Sequence, residues 1–218
     1  MWVESFRALS GIEGLRHAFV QRVPGVDVAV ERDEAMRRLK PEHDELLSGM
    51  GMDVSRLWTA EQVHGSLIAS CDDQGSAVLQ SAADGLMTSV QGSTLGIYVA
   101  DCCAVFVVDV ENKACSLLHS GKCGTEQEIV PQAIELMERE YGSIPQNLIA
   151  QLSPCIRPPW YEIDFAATIR DQCRTAGLLE KNIHDERVCT AAAVDRYYSY
   201  RREKGLTGRM LAVLGWQE

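Results

Sequence analysis

Three apolar runs separated by short polar breaks constrain this chain more than any other feature. Leu95 to Ala100 leads into Asp101-Cys102, Ala104 to Val110 leads into Glu111-Asn112-Lys113, and Ala114 to Leu118 leads into His119. Continuous apolar runs bounded by turn residues predict buried strands, and the short turn at 111–113 predicts that the last two pair as a hairpin. Pairing would return His119 to the end of the hairpin where Cys102 lies. Upstream, Gln62-Val63-His64-Gly65 offers a second imidazole just after the run Leu57 to Val63. His64, Cys102 and His119 therefore make up a candidate three-ligand set.

The rest of the chain supplies elements around this core. Arg16 to Val20 predicts a strand, and Val28 to Lys40 an amphipathic helix that Pro41 ends or hands over to a second helix, Glu42 to Met50. Leu57 to Cys71 predicts a strand, a bend at His64-Gly65 and another strand, closed by a turn at Asp72-Asp73-Gln74-Gly75. Thr125-Glu126-Gln127-Glu128 has the spacing of a capping box ahead of Ile129, Val130, Ala133, Ile134 and Met137. Pro131 conflicts with it, so either the first turn is irregular or the helix begins nearer Val130. Both alternatives put a helix N-terminus a few residues beyond His119, where free N–H groups favour negative charge. Asn147 to Leu152 predicts a strand, Pro154, Pro158 and Pro159 a loop around Cys155, and Asp164 to Ala176 a helix capped by Asp164 and ended by Gly177. Tyr197 to Arg202 predicts a turn and Arg209 to Gly215 a closing strand. Strands outnumber helices without regular alternation, so the expected class is α+β with a mixed sheet.

At 218 residues, with no Pro/Ser/Gly-rich linker, the expectation is one domain spanning 1–218, taken as a monomer. A net charge of -10 argues against a nucleic-acid partner, which would need phosphates neutralised by Lys and Arg. The basic cluster Arg201, Arg202, Lys204 and Arg209 reads first as a solvated loop, with a small anionic substrate as the other reading. The N-terminal stretch MWVESFRALSGIEG has no signal-peptide apolar core, and no run approaches transmembrane length. The expectation is a cytoplasmic protein that engages no membrane and whose eight cysteines are reduced.

Together, Gln62-Val63-His64-Gly65, Ala83-Asp84-Gly85-Leu86-Met87-Thr88, Ala100-Asp101-Cys102, His119-Ser120-Gly121, Pro154-Cys155-Ile156 with Tyr161-Glu162, and Ser199-Tyr200-Arg201-Arg202 with Thr207-Gly208-Arg209-Met210 resemble the laccase-domain family. That family was first described as multicopper polyphenol oxidases, and its members are also called purine nucleoside phosphorylases or peptidoglycan editing factors. The resemblance covers about three quarters of the chain. It implies a four-layer α/β/β/α sandwich with mixed sheets, and a zinc-type site with His64, Cys102 and His119 as ligands. It also implies a purine nucleoside substrate: phosphorolysis of adenosine, inosine or methylthioadenosine, and deamination of adenosine. Two departures stand out. Where the family usually continues His-Ala-Gly-Trp-Arg-Gly, this chain has His119-Ser120-Gly121-Lys122-Cys123-Gly124, so a bidentate arginine is replaced by a cysteine beside a lysine. The family's usual Gly-Gly-Val-Ser and Asn-Leu-Gly stretch is also reduced to Val23-Pro24-Gly25-Val26.

Three protein ligands with a vacant fourth position suit catalytic zinc. The same donors bind copper, but a laccase needs more histidines than the five present, of which His17, His43 and His184 lie in no ligand-like context. A second reading makes Cys102 a nucleophile and His119 its base without metal, and a third makes the chain a silent binding protein. Singly, Cys102 reads as a buried apolar residue, as do Cys103, Cys115, Cys173 and Cys189, and His119 as a hydrogen-bonded core histidine. Asp84 and Asp101 either orient the imidazoles or stabilise turns. Lys122, Arg201 and Arg209 are substrate candidates, although pairing of the arginines with the 31 acidic residues is the first expectation for Arg201, Arg202 and Arg209. Glu61, Asp84, Asp101 and Glu162 are nominees for general acid or base.

Overall fold

An alternation inside the apolar runs decides which way each strand faces. Ala104, Phe106, Val108, Cys115 and Leu117 join one apolar cluster, while Cys103, Val105, Val107, Ala114 and Leu118 join another. Because successive strand residues point to opposite faces, a strand apolar on every position is covered on both. The two strands concerned, β8 (Cys103–Asp109) and β9 (Ala114–Ser120), are buried at every residue. They form the predicted hairpin, with Cys103 opposite Ser120 and Ala104 opposite His119.

The computed structural model describes residues 2–72 and 79–218. The predicted turn at 72–75 thus falls largely outside the described residues. The chain is a mixed α+β protein with five α-helices and two six-stranded mixed sheets. The first sheet orders β1 (Val3–Glu4), β2 (Leu15–Val20), β12 (Met210–Trp216), β7 (Thr94–Val99), β3 (Leu57–Ala60) and β5 (Leu79–Gln80). The second orders β11 (Ile183–Asp185), β10 (Ile149–Leu152), β8, β9, β6 (Gly85–Thr88) and β4 (Ile68–Ser70). β3 runs parallel to β7 and β5, β4 to β6, and β10 to β11; the other neighbours are antiparallel. The first two apolar runs therefore part company, β7 lying in one sheet and β8 in the other. The crossover between them is Ala100-Asp101-Cys102, with Asp101 in the left-handed region at φ 78°.

One cluster unites the facing sides of both sheets, including Leu95, Ile97, Ala212, Leu214, Phe106 and Leu117, and takes in Ala35, Leu39 and Leu47 of α2 (Arg32–Gly49). The other packs the remaining face of β8 and β9 against Ile129, Val130, Ala133, Ile134 and Met137 of α4 (Ile129–Tyr141) and Phe165, Ala166, Ile169 and Cys173 of α5 (Phe165–Thr175). The short helices α1 (Arg7–Ser10) and α3 (Lys122–Glu126) complete the set.

Two local expectations are corrected. α2 continues through Pro41 as one helix, because Ala35, Leu39, His43 and Leu47 recur every four residues on a single buried face and the Lys40–Asp44 ion pair spans the proline. Burial of that face outweighs the missing N–H. Thr125 and Glu126 belong to α3 rather than to a capping box; the Thr125 hydroxyl bonds Ser120, and α4 starts after Glu128, which is left-handed at φ 57°. Pro131 consequently falls in the first turn of α4, where its lack of an N–H costs little. Asp164 caps α5 as expected, accepting from the Ala167 amide at 3.1 Å.

Candidate metal centre

Cys102 precedes β8 directly, His119 is the penultimate residue of β9, and the antiparallel register sets both at one end of the hairpin. His64 comes from the turn between β3 and β4 and adopts φ 61°. Each of the three offers one ligand atom, and these atoms all lie within 4.8 Å of one another. The imidazoles of His64 and His119 meet edge-on, with centroids 4.9 Å apart and planes at 68°. His119 is buried, Cys102 partly so, and His64 exposed. This is the one such group of His, Cys, Asp and Glu among the described residues, and it could hold a metal ion.

One carboxylate organises two of the three. Asp84, fully buried, accepts from the backbone amides of Val63 (3.1 Å), His64 (3.0 Å) and Gly65 (2.7 Å) and from Nδ1 of His119 at 2.7 Å. Burial alone would raise its pKa, but the His119 and backbone hydrogen bonds hold it below the usual carboxylate range. With Nδ1–H donated to Asp84, the neutral form of His119 presents its lone pair on Nε2, the form that binds a metal. Gly121 is required for a different reason: a Cβ there would overlap the Cys102 sulfur. Gln62 anchors the His64 turn to β7, its amide donating to the Tyr98 carbonyl (2.7 Å) and accepting from the Tyr98 amide (2.9 Å).

The sulfur and imidazoles perturb one another. Burial pushes the Cys102 thiol up and the His119 imidazole down, yet their mutual interaction, with His64 and Asp84 adding to it, reverses both directions. The thiol comes down to about 6 and the imidazole goes up to about 9. A thiolate is thereby favoured at neutral pH, the form a metal or an electrophile requires.

The group opens into a cavity of about 1100 Å³. Its wall includes Glu31 and Arg32 from the start of α2, Tyr161 and Phe165 beside α5, and Tyr200, Arg201, Lys204 and Arg209 from the loop before β12. Lys122 and Cys123, at the departure from the family run, also line it. Asp101 is not a partner of either imidazole. It accepts from the Thr190 hydroxyl (2.7 Å), the Ser199 hydroxyl (3.0 Å) and the Arg201 amide (2.7 Å), tying the crossover to the 190–201 segment. Arg201 pairs with Glu162 at 3.1 Å and lies over the Tyr161 ring, as the pairing expectation has it. Arg202 lies over Trp160 and bonds the Ala191 carbonyl, and Arg209 has no ion pair among the described residues, so for these two that expectation is corrected. Glu61 accepts from the Ala82 amide and is not among the lining residues. Gln62 and Ser199 stand in the blocks that carry the resemblance but have no role assigned there, and Thr190 and Arg32 are singled out by no motif; the partners of Gln62, Thr190 and Ser199 lie 36 to 98 residues away, and Arg32 reaches the site only across the cavity.

An α+β chain with a His₂Cys group at the floor of a basic, aromatic-lined cavity defines a class, and comparison with known proteins gives its family. The chain belongs to the family described as multi-copper polyphenol oxidoreductase laccase, whose model matches residues 20–165 and 160–217. A purine nucleoside phosphorylase of Corynebacterium glutamicum is 30% identical over 76% of this chain and 76% of its own length. The purine nucleoside phosphorylase YlmD of Geobacillus stearothermophilus is 26% identical, covering 79% of this chain and 77% of its own. A crystal structure of the Bacillus licheniformis hypothetical protein YfiH superposes with a TM-score of 0.83 over 93% of both chains at 19% identity. No helix among the described residues is long and apolar enough to cross a membrane.

Proposed function

We propose that this chain is a zinc-dependent enzyme acting on purine nucleosides, by phosphorolysis of adenosine, inosine or methylthioadenosine, by deamination of adenosine, or both. The observation that carries the reading is the convergence of His64, Cys102 and His119 with Asp84 behind them, three ligands and an orienting carboxylate facing a cavity large enough for a nucleoside. The donor set fits zinc: one thiolate, two neutral imidazoles and no further protein donor in the group. Zinc held by these residues supplies Lewis acidity beside a bound substrate. Asp84 keeps His119 in one tautomer and holds the His64 turn in place, while Tyr161, Phe165 and Tyr200 offer rings for a purine. The names of the curated relatives support the substrate class. A multicopper laccase fits less well: His17 bonds the Phe6 amide, and His43 is buried with no polar partner. The same reading takes the layers in the order α2, first sheet, second sheet, then α4 and α5, one domain over 1–218, supported by the two apolar clusters.

Chromatography of zinc-loaded protein incubated with adenosine, with and without phosphate, tests the reaction. Phosphate-dependent release of adenine establishes phosphorolysis, inosine formed in both tubes establishes deamination, and no product in either, with inosine and methylthioadenosine equally inert, sinks the nucleoside reading.

The perturbed thiol and imidazole favour a second reading, a metal-independent hydrolase or amidase with Cys102 as nucleophile and His119 as base. The two part over His64. On the metal reading, His64→Ala lowers bound zinc from one per chain towards none and turnover by at least about 100-fold. Retention of full turnover in that variant would establish the thiol dyad instead.

A further inference from the structure

In a chain of net charge -10, carboxylates are plentiful, and many arginines take them: Arg22 with Glu203, Arg38 with Glu34, Arg157 with Asp185, Arg196 with Glu4. Four cations gathered at the cavity do not. Arg32, Lys122, Lys204 and Arg209 line it, and none has an ion pair among the described residues. Two carboxylates line it as well, Glu31 and Asp101, but both oxygens of Asp101 already accept hydrogen bonds from Thr190, Ser199 and Arg201. Glu31 and the residual field of Asp101 are left to offset these four cations.

Arg209 is the most constrained of them. It is partly buried, and its NH1 donates to the carbonyls of Thr207 (2.9 Å) and Gly208 (3.0 Å), which orients the guanidinium; the Tyr200 ring lies 5.8 Å away. Burial, and after it the charge of Arg32, pulls its pKa below the ordinary arginine value, though an arginine keeps its proton at neutral pH. Two guanidiniums that line one cavity, neither in an ion pair among the described residues, are stabilised by an anion, and a guanidinium fork matches phosphate oxygens bidentately.

We propose that Arg209, Arg32 and Lys204 form a phosphate-binding subsite of the cavity, taking a phosphoryl dianion as free phosphate or as the phosphate ester of a nucleotide. The subsite is independent of the family arginine that Cys123 replaces. Its place in turnover rests on the phosphorolytic reading, which needs a bound phosphate; binding itself does not depend on that reading.

Calorimetric titration of the zinc-loaded full chain with inorganic phosphate, adenosine and adenosine 5′-monophosphate at low salt tests it. Phosphate is expected to bind the wild type, with affinity at least about tenfold lower in Arg209→Gln and reduced by a smaller factor in Arg32→Gln and Lys204→Gln, whose side chains are exposed and whose folding is not in question. Cys102→Ser is expected to retain phosphate binding. A free-phosphate site binds the nucleotide no tighter than adenosine. An ester site binds it at least about tenfold tighter, and Arg209→Gln erases that margin. Absence of phosphate and nucleotide binding to the wild type overturns the proposal. So does unchanged phosphate affinity in the arginine and lysine variants, or a loss confined to Cys102→Ser. Phosphate binding that survives while no nucleoside is turned over sinks the proposed function and leaves the subsite standing.

Discussion

Asp84 and Asp101 flank the candidate centre and hold its two sides by different means. Asp84 gathers three consecutive amides of the His64 turn and one ring nitrogen of His119, so a single buried carboxylate sets the relative position of two ligands. Asp101 sits on the crossover beside Cys102 in a left-handed conformation and reaches outward, to Thr190, Ser199 and Arg201. One corner fixes the donor atoms; the other fixes the cavity wall to the backbone that carries the thiolate. Carboxylates adjacent to ligands in sequence or space need not serve the metal alike, and what each accepts shows which part of the site it controls.

Substitution at Asp84 is the strongest way to break this comparison. Asp84→Asn places an amide among four donors, and on the proposed metal reading is expected to lower zinc affinity roughly 10–100-fold, read by competition with a chromophoric chelator. It should also cost about 2–4 kcal/mol of stability in urea unfolding, since buried donors lose a charged acceptor. Equal zinc loss in Asp101→Asn would erase the distinction between the corners.

Acid separates the corners from their support. Asp84 is held below the usual carboxylate range, so its contribution is intact above about pH 4 and is lost only as pH falls through its lowered folded value. The stability tied to His43 is lost in the same direction but at higher pH. It is buried in α2, stacked 5.9 Å from the Tyr98 ring that lines the cavity, with neither ring nitrogen partnered, and burial pulls it down to about 4. The unfolded chain takes up this proton first, near pH 6.5, so stability should fall by about 2 kcal/mol between pH 7 and 5. Unfolding of His43→Leu should show that loss flattened; an unchanged slope would locate the acid sensitivity elsewhere.

The smallest effect is expected at the wall. On the proposed function, Asp101→Asn should keep zinc at one per chain and raise the KM for nucleoside by about tenfold with a lesser change in kcat, because the 199–201 segment loosens while the ligands stay ordered. A fall in kcat with KM unchanged would move Asp101 to the ligand side.

The hairpin, the strand ends carrying Cys102 and His119, the Asp164 cap and the closing strand were legible because each depends on a local pattern: apolar periodicity, a turn, a capping side chain. Pro41 was misread because the strength of its helix lies in a buried face that only the packing of α2 on the first sheet supplies. The capping box was misread because Thr125 found Ser120 at 2.9 Å, a partner five residues back across the turn out of β9. Asp101 and Arg209 were legible as candidates and not as roles. A carboxylate accepts from whatever donors reach it, and whether an arginine is paired depends on which acids the fold brings within about 4 Å.

By itself the sequence determined which segments are strands, and that a thiol and an imidazole would meet at one end of a hairpin, since register follows from alternation and turn position along a continuous chain. Only the tertiary structure decided that His64 joins them, that one carboxylate serves two ligands, and that Arg32, Lys122, Lys204 and Arg209 have no ion pair among the described residues. These are distances between segments of different sheets and loops, governed by how two sheets pack, and no periodicity along the chain encodes them.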